Sequence, residues 1–144
     1  MMTQQPPELA MYQKLGELFY AIAAADKVIR KAEKDTLRNL VSSHWKNLDQ
    51  LEDEFYTDAS YQIEIVFDWL DDTQLDPNDC FEDFKAFKNE HPKLFTAQVN
   101  KLIWKTADAI AASFAGKNKA ELIMLAKLKM LLENGDSNTL KQCN

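Results

Sequence analysis

Apolar positions recur at spacings of three and four along most of this chain, which is the periodicity of a helix with one buried face. Pro6-Pro7-Glu8 reads as a helix start, with proline in the first turn and an acid near the positive end of the dipole. Tyr12, Leu15, Phe19 and Ile22 then form a stripe that Leu18 and Ala25 widen, and Asp26-Lys27 ends the run. Val28 and Ile29 stand in a tight connection and are expected to tuck beneath the turn. A second helix is predicted from Lys31, with Leu37, Leu40 and Val41 on one face and His44-Trp45 near its end. The acidic stretch 48–56 reads as a turn or half-helix.

Residues 61–70 are the ambiguous part of the pattern. Tyr61, Ile63, Ile65, Phe67 and Trp69 alternate like a strand, yet Ile63, Val66, Phe67 and Leu70 also satisfy helical spacing. A lone strand has nothing to pair with, so this segment is read as a helix. Residues 71–79 read as a loop holding Pro77. Phe81, Phe84 and Phe87 mark another helix closed by His91-Pro92, and their strict spacing of three drifts around it, leaving room for one exposed ring. Residues 94–114 are expected to form the longest helix, with Val99, Leu102, Ile103, Ile110 and Phe114 inside. A turn at 115–117 leads to a last helix over 119–133, stopped by Asn134-Gly135. The expected fold class is all-α, a helical bundle with short connections.

Composition narrows this picture without redirecting it. The 144 residues make one domain's worth of chain, and three glycines leave little material for Gly-rich phosphate loops. The longest apolar stretches, around 18–25 and 109–115, are far too short to span a bilayer, so no membrane insertion is expected. The first seven residues are polar and Pro-rich rather than a signal peptide, which points to a cytoplasmic protein. Cys80 and Cys143 form no spaced pair and read as two reduced thiols. Charge is unevenly spread. Residues 51–92 carry thirteen acids against Lys85 and Lys88, whereas residues 93–144 carry eight lysines against Asp108, Glu121, Glu133 and Asp136. With a net charge of -6, nucleic acid is a poor partner, and cations or basic protein surfaces fit better.

A phrase occurs twice in the chain, 88 positions apart. Ala21-Ile22-Ala23-Ala24 matches Ala109-Ile110-Ala111-Ala112, and Lys31-Ala32-Glu33 matches Lys119-Ala120-Glu121. Leu37 falls on Leu125 and Leu40 on Leu128 in the same register. This implies two related helical hairpins, at about 8–45 and 94–133, with an acidic helical insert at about 48–92, in a single domain over residues 1–144. Ala23-Ala24-Ala25-Asp26, the short connection to Arg30, and then Lys31-Ala32-Glu33 leading a leucine-spaced helix resemble the tellurite-resistance TerB-like domain family. That domain also forms the N-terminal part of a membrane-anchored J-domain co-chaperone. The sequence departs from the family pattern at Lys27, where glycine is usual, and at Phe114, which takes the slot of Asp26 in the second copy. The resemblance implies an all-α fold and a divalent metal, calcium or magnesium, at Asp26 and Glu33, where a tight turn could gather hard oxygen ligands.

A plainer role exists for the same acids. Asn118 is a good N-cap, and Glu121 then stands at capping-box spacing; Glu33 can reach back in the same way, although Arg30 has no oxygen to return on its side chain. Asp26 can satisfy backbone donors in its own turn. A second acidic group, Asp68, Asp71, Asp72, Asp76 and Asp79, has Pro77 and Asp83 where an EF-hand needs glycine and glutamate, and reads as a solvated loop. No catalytic residue is identified: His44 and His91 lack a nucleophile at any recognised spacing, and the adjacent Ser42-Ser43 do not face His44. Trp45, Trp69 and Trp104 are expected mostly in the core. The expected function is therefore a non-enzymatic TerB-like stress-response module that binds protein partners and is tuned by a divalent cation. The alternatives are a metal-independent interaction scaffold with an acidic face, and a hydrolase with a metal in the acidic loop.

Overall fold

The computed structural model describes residues 7–26, 28–45, 60–113 and 118–142, and these are all-α. Six α-helices follow in order: α1 (Pro7–Ala23), α2 (Lys31–Leu40), α3 (Gln62–Thr73), α4 (Pro77–Glu90), α5 (Ala97–Ala112) and α6 (Lys119–Gln142). A π-helical turn, Val41–Trp45, extends α2, and a short 3-10 turn, Pro92–Leu94, precedes α5. The readings at Lys27, 48–56, Phe114, 115–117 and Cys143 lie outside the described residues.

Helix α1 is the axis of the fold because its sequence is apolar nearly all round. Leu15, Leu18, Phe19, Ala21 and Ile22 are fully buried, and α3, α4, α5 and α6 all pack against it. The closest approach is at Gly16, where an added Cβ would sit 2.7 Å from the Ile63 carbonyl oxygen and 2.8 Å from Val66 Cβ. Any larger residue there would push α3 away from the axis. Helix α2 packs mainly on α5, and the π-turn carries Trp45 into the middle of the core. Its ring meets Tyr12 edge-on at 6.4 Å and Phe19 at 6.1 Å, while its indole N–H donates to Thr106 Oγ1 at 2.9 Å. A buried indole without that partner would carry a desolvation cost, so Thr106 is what makes the position tolerable.

Residues 61–70 are helical, and burial shows why helical spacing won. Ile63, Phe67 and Leu70 face α1, while Tyr61, Ile65 and Trp69 face solvent. The apparent strand alternation is thus two opposite faces of one helix sampled every second residue. Several expectations are corrected here. Trp69 is 57% exposed rather than in the core, and Val28 is 51% exposed while only Ile29 packs beneath the turn. Phe81, Phe84 and Phe87 are all buried, because Phe84 and Phe87 both meet Phe95, which the 3-10 turn folds back onto α4.

Helix ends also differ from expectation where a cap decides them. The connection between α3 and α4 is only residues 74–76: Asp76 Oδ1 accepts the Asn78 N–H at 2.7 Å and Pro77 is the first helical residue, so most of the expected loop is helix. Thr96 Oγ1 accepts the Val99 N–H and starts α5 at Ala97, later than expected. The longest helix is instead α6, which passes Asn134-Gly135 and ends at Gln142. A glycine in a helix costs about 1 kcal/mol relative to alanine, which weakens the helix without terminating it. Among the described residues no helix is long and apolar enough to cross a membrane.

Candidate functional site

The first turn and the start of α6 come together in space, and the residues singled out in the repeat sit at their junction. In the first turn, Asp26 Oδ1 accepts the Val28 N–H at 3.1 Å, which closes the bend within its own segment. Its other oxygen, Oδ2, takes the Arg30 guanidinium at 3.1 Å and the Asn118 side-chain N–H at 2.7 Å. Arg30 and Asn118 occupy equivalent slots of the repeat, so one carboxylate oxygen is gripped by the same position of both copies.

The glutamates behave as caps. Glu33 Oε1 accepts the Arg30 backbone N–H at 2.8 Å. Glu121 Oε1 accepts the Asn118 N–H at 3.1 Å, and Asn118 Oδ1 accepts the Glu121 N–H at 2.9 Å, a reciprocal capping box. The first turn has only half of this arrangement, since the Arg30 side chain has no acceptor.

Beyond their caps the two glutamates turn toward each other, and that meeting defines the site. Glu33 and Glu121 are both 1% exposed, and the Glu33 carboxyl lies within hydrogen-bonding reach of that of Glu121. Glu121 Oε2 is buried and receives no hydrogen bond. Burial first, and then the facing Glu121 carboxyl, push Glu33 up to about 8, against the opposing pull of the Arg30 N–H and guanidinium. The junction therefore holds two acceptors face to face, a geometry that needs a proton or a cation between them.

Whether a divalent ion suits these residues follows from their occupancy. Both oxygens of Asp26 are already bonded, one of them to a cationic guanidinium. Glu33 and Glu121 together offer two hard oxygens, fewer than the six to eight that calcium takes. Among the described residues no group of three or more His, Cys, Asp or Glu side chains is arranged to hold a metal ion. Glu121 and not Asp26 therefore meets Glu33 directly, and the pair alone supplies fewer oxygens than a calcium site takes.

The remaining acids are dispersed. Asp71 pairs with Lys34 at 2.6 Å, Asp68 pairs with Arg38 at 3.4 Å, and Asp76 caps α4. Ser42 and Ser43 bond back to the carbonyls of Arg38 and Asn39, and His91 packs on the Phe87 ring at 4.5 Å. Cys80 is buried, and burial followed by the neighbouring Glu17 carboxyl pushes its thiol up to about 12, which makes it a poor nucleophile.

Sequence reasoning found every member of the junction except the crossing itself. The signal available was the shared slot of Arg30 and Asn118. A second close carboxyl pair, Glu17 with Asp83, had no sequence signal, since the two lie on α1 and α4. Burial and then Asp83 raise Glu17 to about 7, whereas Asp83 is lowered, chiefly by its bond with Glu17, and is held by Lys14 at 2.6 Å. No family model, curated protein or solved structure matches this chain.

Proposed function

We propose that this chain is a non-enzymatic helical module that binds protein partners, of the TerB-like kind its two related turns resemble. Occupancy of the Glu33–Glu121 pair by a proton or a divalent cation tunes it. The observation that supports this reading is the burial of one carboxyl from each turn against the other, with Glu121 Oε2 lacking any hydrogen bond. Facing carboxylates repel, so the junction is tight only when positive charge stands between them. A proton supplies it until pH rises through about 8. Calcium or magnesium would supply it through oxygens of Glu33 and Glu121, and Asp26 would join only by exchanging Arg30 and Asn118 for the ion. Filling the pair draws the two turns together and stiffens the surface around them. Stress response is the setting that the resemblance implies.

Thermal melting with calcium, magnesium, manganese or chelator tests this, because a ligand of the native state raises the midpoint in a concentration-dependent way. A rise that Glu33→Gln abolishes assigns the cation to the pair, and its loss in Asp26→Asn as well makes Asp26 a ligand. A midpoint insensitive to every ion but falling as pH rises leaves the proton as the occupant. Insensitivity to both sinks the tuning. The metal-independent scaffold stands as a second reading because Trp69 is exposed beside Asp68 and Asp72, an aromatic with acidic flanks of the sort that engages a basic surface.

A further inference from the structure

Hollows on the surface of this molecule differ in whether their polar groups are already engaged. In the one beside the α3–α4 connection, the Tyr20 hydroxyl donates to the Leu75 carbonyl, Gln74 bonds to Asp71, and Asp76 caps α4. In the open one beside Trp69, Lys34 is held by Asp71 and Arg38 by Asp68. The groove between α5 and α6 is different. Its volume is about 300 Å³, and Ala97, Asn100, Lys101 and Trp104 line it from α5, their spacing placing them on one helical face. Lys129, Leu132 and Glu133 of α6 form the other wall. Among the described residues, Lys101, Lys129 and Glu133 make no ion pair, and Trp104 packs on the core without meeting another ring. Asn100 Oδ1 is buried and receives no hydrogen bond, while its amide nitrogen is held by a long bond, 3.4 Å, to the Phe95 carbonyl. A buried acceptor without a donor is destabilising, and an amide held by one long bond turns readily.

We propose that this groove binds a small aromatic acid carrying one carboxylate and one ring hydroxyl or N–H. This concerns a small ligand and rests neither on the carboxyl pair nor on a protein partner. The ring lies against Trp104 and Leu132, which gain by leaving water, and the indole adds stacking. Lys101 and Lys129 take the carboxylate, one from each helix, and Asn100 Oδ1 turns to accept the ring donor. Glu133 sets the charge of the ligand. Two lysines against one glutamate leave a single positive charge on the walls, which a carboxylate balances and a phosphate dianion exceeds. The volume stands at the small end of the roughly 300–1,000 Å³ of ligand sites, which limits the ligand to one or two rings. Ala97 keeps the groove open, because its side chain stops at Cβ.

Titration of the isotope-labelled full chain with para-hydroxybenzoate tests this, with the three indole N–H signals followed by NMR. Trp104→Phe identifies the Trp104 signal. That signal is expected to move saturably while the signal of buried Trp45 stays in place. Lys101→Ala and Lys129→Ala are each expected to weaken binding by about two- to fivefold, the size of an exposed ion pair. Both lysines are exposed, so folding is not at risk. Para-hydroxybenzyl alcohol, which lacks the charge, should bind more weakly than the acid by about fivefold or more. Benzoate isolates Asn100: it should bind more weakly than para-hydroxybenzoate to wild type but equally well to Asn100→Ala. Ala97→Phe fills the groove and should abolish binding, with circular dichroism confirming that the variant keeps its helicity. A Trp104 signal that does not saturate in the millimolar range overturns the proposal. So does binding that survives Ala97→Phe, an alcohol that binds as well as the acid, or phenyl phosphate that binds better.

Discussion

The two turns of the repeat carry the same glutamate and solve the same problem with different neighbours. In the second turn Asn118 and Glu121 exchange hydrogen bonds, so the start of α6 is capped locally and completely. In the first turn Glu33 caps alone, and Arg30 spends its side chain on Asp26 instead. The half-capped turn compensates by borrowing Asn118, whose side-chain N–H reaches the same oxygen of Asp26. The two segments thus differ in that the second is capped from within, whereas the first supplies charge and depends on Asn118 from the second. The glutamates, being kept in both, end face to face with a conflict that a single copy would not have.

That comparison can be broken most forcefully at the carboxyl pair. Glu33 in the folded protein stands near 8, above its ordinary 4.5, so the native state holds a proton that the unfolded chain releases. The associated stabilisation is full below about 4.5 and is lost as pH rises through about 8. Glu17, raised to about 7, adds a contribution of the same sign, so the Glu33 part is read as the difference between wild type and Glu33→Gln. The amide keeps an acceptor for the Arg30 N–H and gives a donor to Glu121. Urea unfolding at pH 9 should find the variant more stable than wild type by on the order of 3 kcal/mol, shrinking to little at pH 5. Parallel pH profiles for the two proteins would remove the conflict from the account.

Asn118→Ala should have the next largest effect, since it removes the cap of α6 and the bond to Asp26 together. A loss of about 2 kcal/mol is expected, combining a helix cap with a hydrogen bond to a charged group. A loss of only half that, measured by the same unfolding, would mean that the crossing to Asp26 contributes nothing. Asp26→Asn keeps the shape of the turn but removes the charge that faces Arg30. For a half-buried ion pair the cost should be about 1 kcal/mol, reduced by added salt. A salt-independent cost would assign the loss to the bond from Asn118 rather than to the charge of Arg30.

The smallest change is the most informative about divergence. Arg30→Asn gives the first turn the residue that the second already has. A completed capping box should gain about 0.5–1 kcal/mol and the lost ion pair should cost a similar amount, so thermal melting should show almost no net shift. A clear destabilisation would show that Arg30 matters for charge more than asparagine could matter as a cap.

Much of this was legible in the chain before any coordinates, and the legible part has a common character. The glutamate caps, the Pro7 helix start and the helical reading of 61–70 all depend on residues within about one or two turns of each other. Such interactions are written into local spacing. The failures are equally consistent: Trp69 and Val28 were expected inside, the phenylalanine spacing left room for an exposed ring that the fold does not have, and α6 was expected to stop at glycine. Each depends on which neighbour arrives from elsewhere, as when Phe95 folds back over Phe84 and Phe87.

Sequence by itself determined that this protein is all-α, where most helices lie, and that Glu33 and Glu121 could serve as caps, because backbone capping and helical periodicity are settled within a few residues. Only tertiary structure decided that Asp26 would be shared by Arg30 and Asn118, and that two caps would become a buried carboxyl pair. It also decided which faces of α3 and α6 would stay in water. Those outcomes turn on contacts between segments far apart in the chain, and there the alignment of a repeat says which residues correspond without saying that they touch.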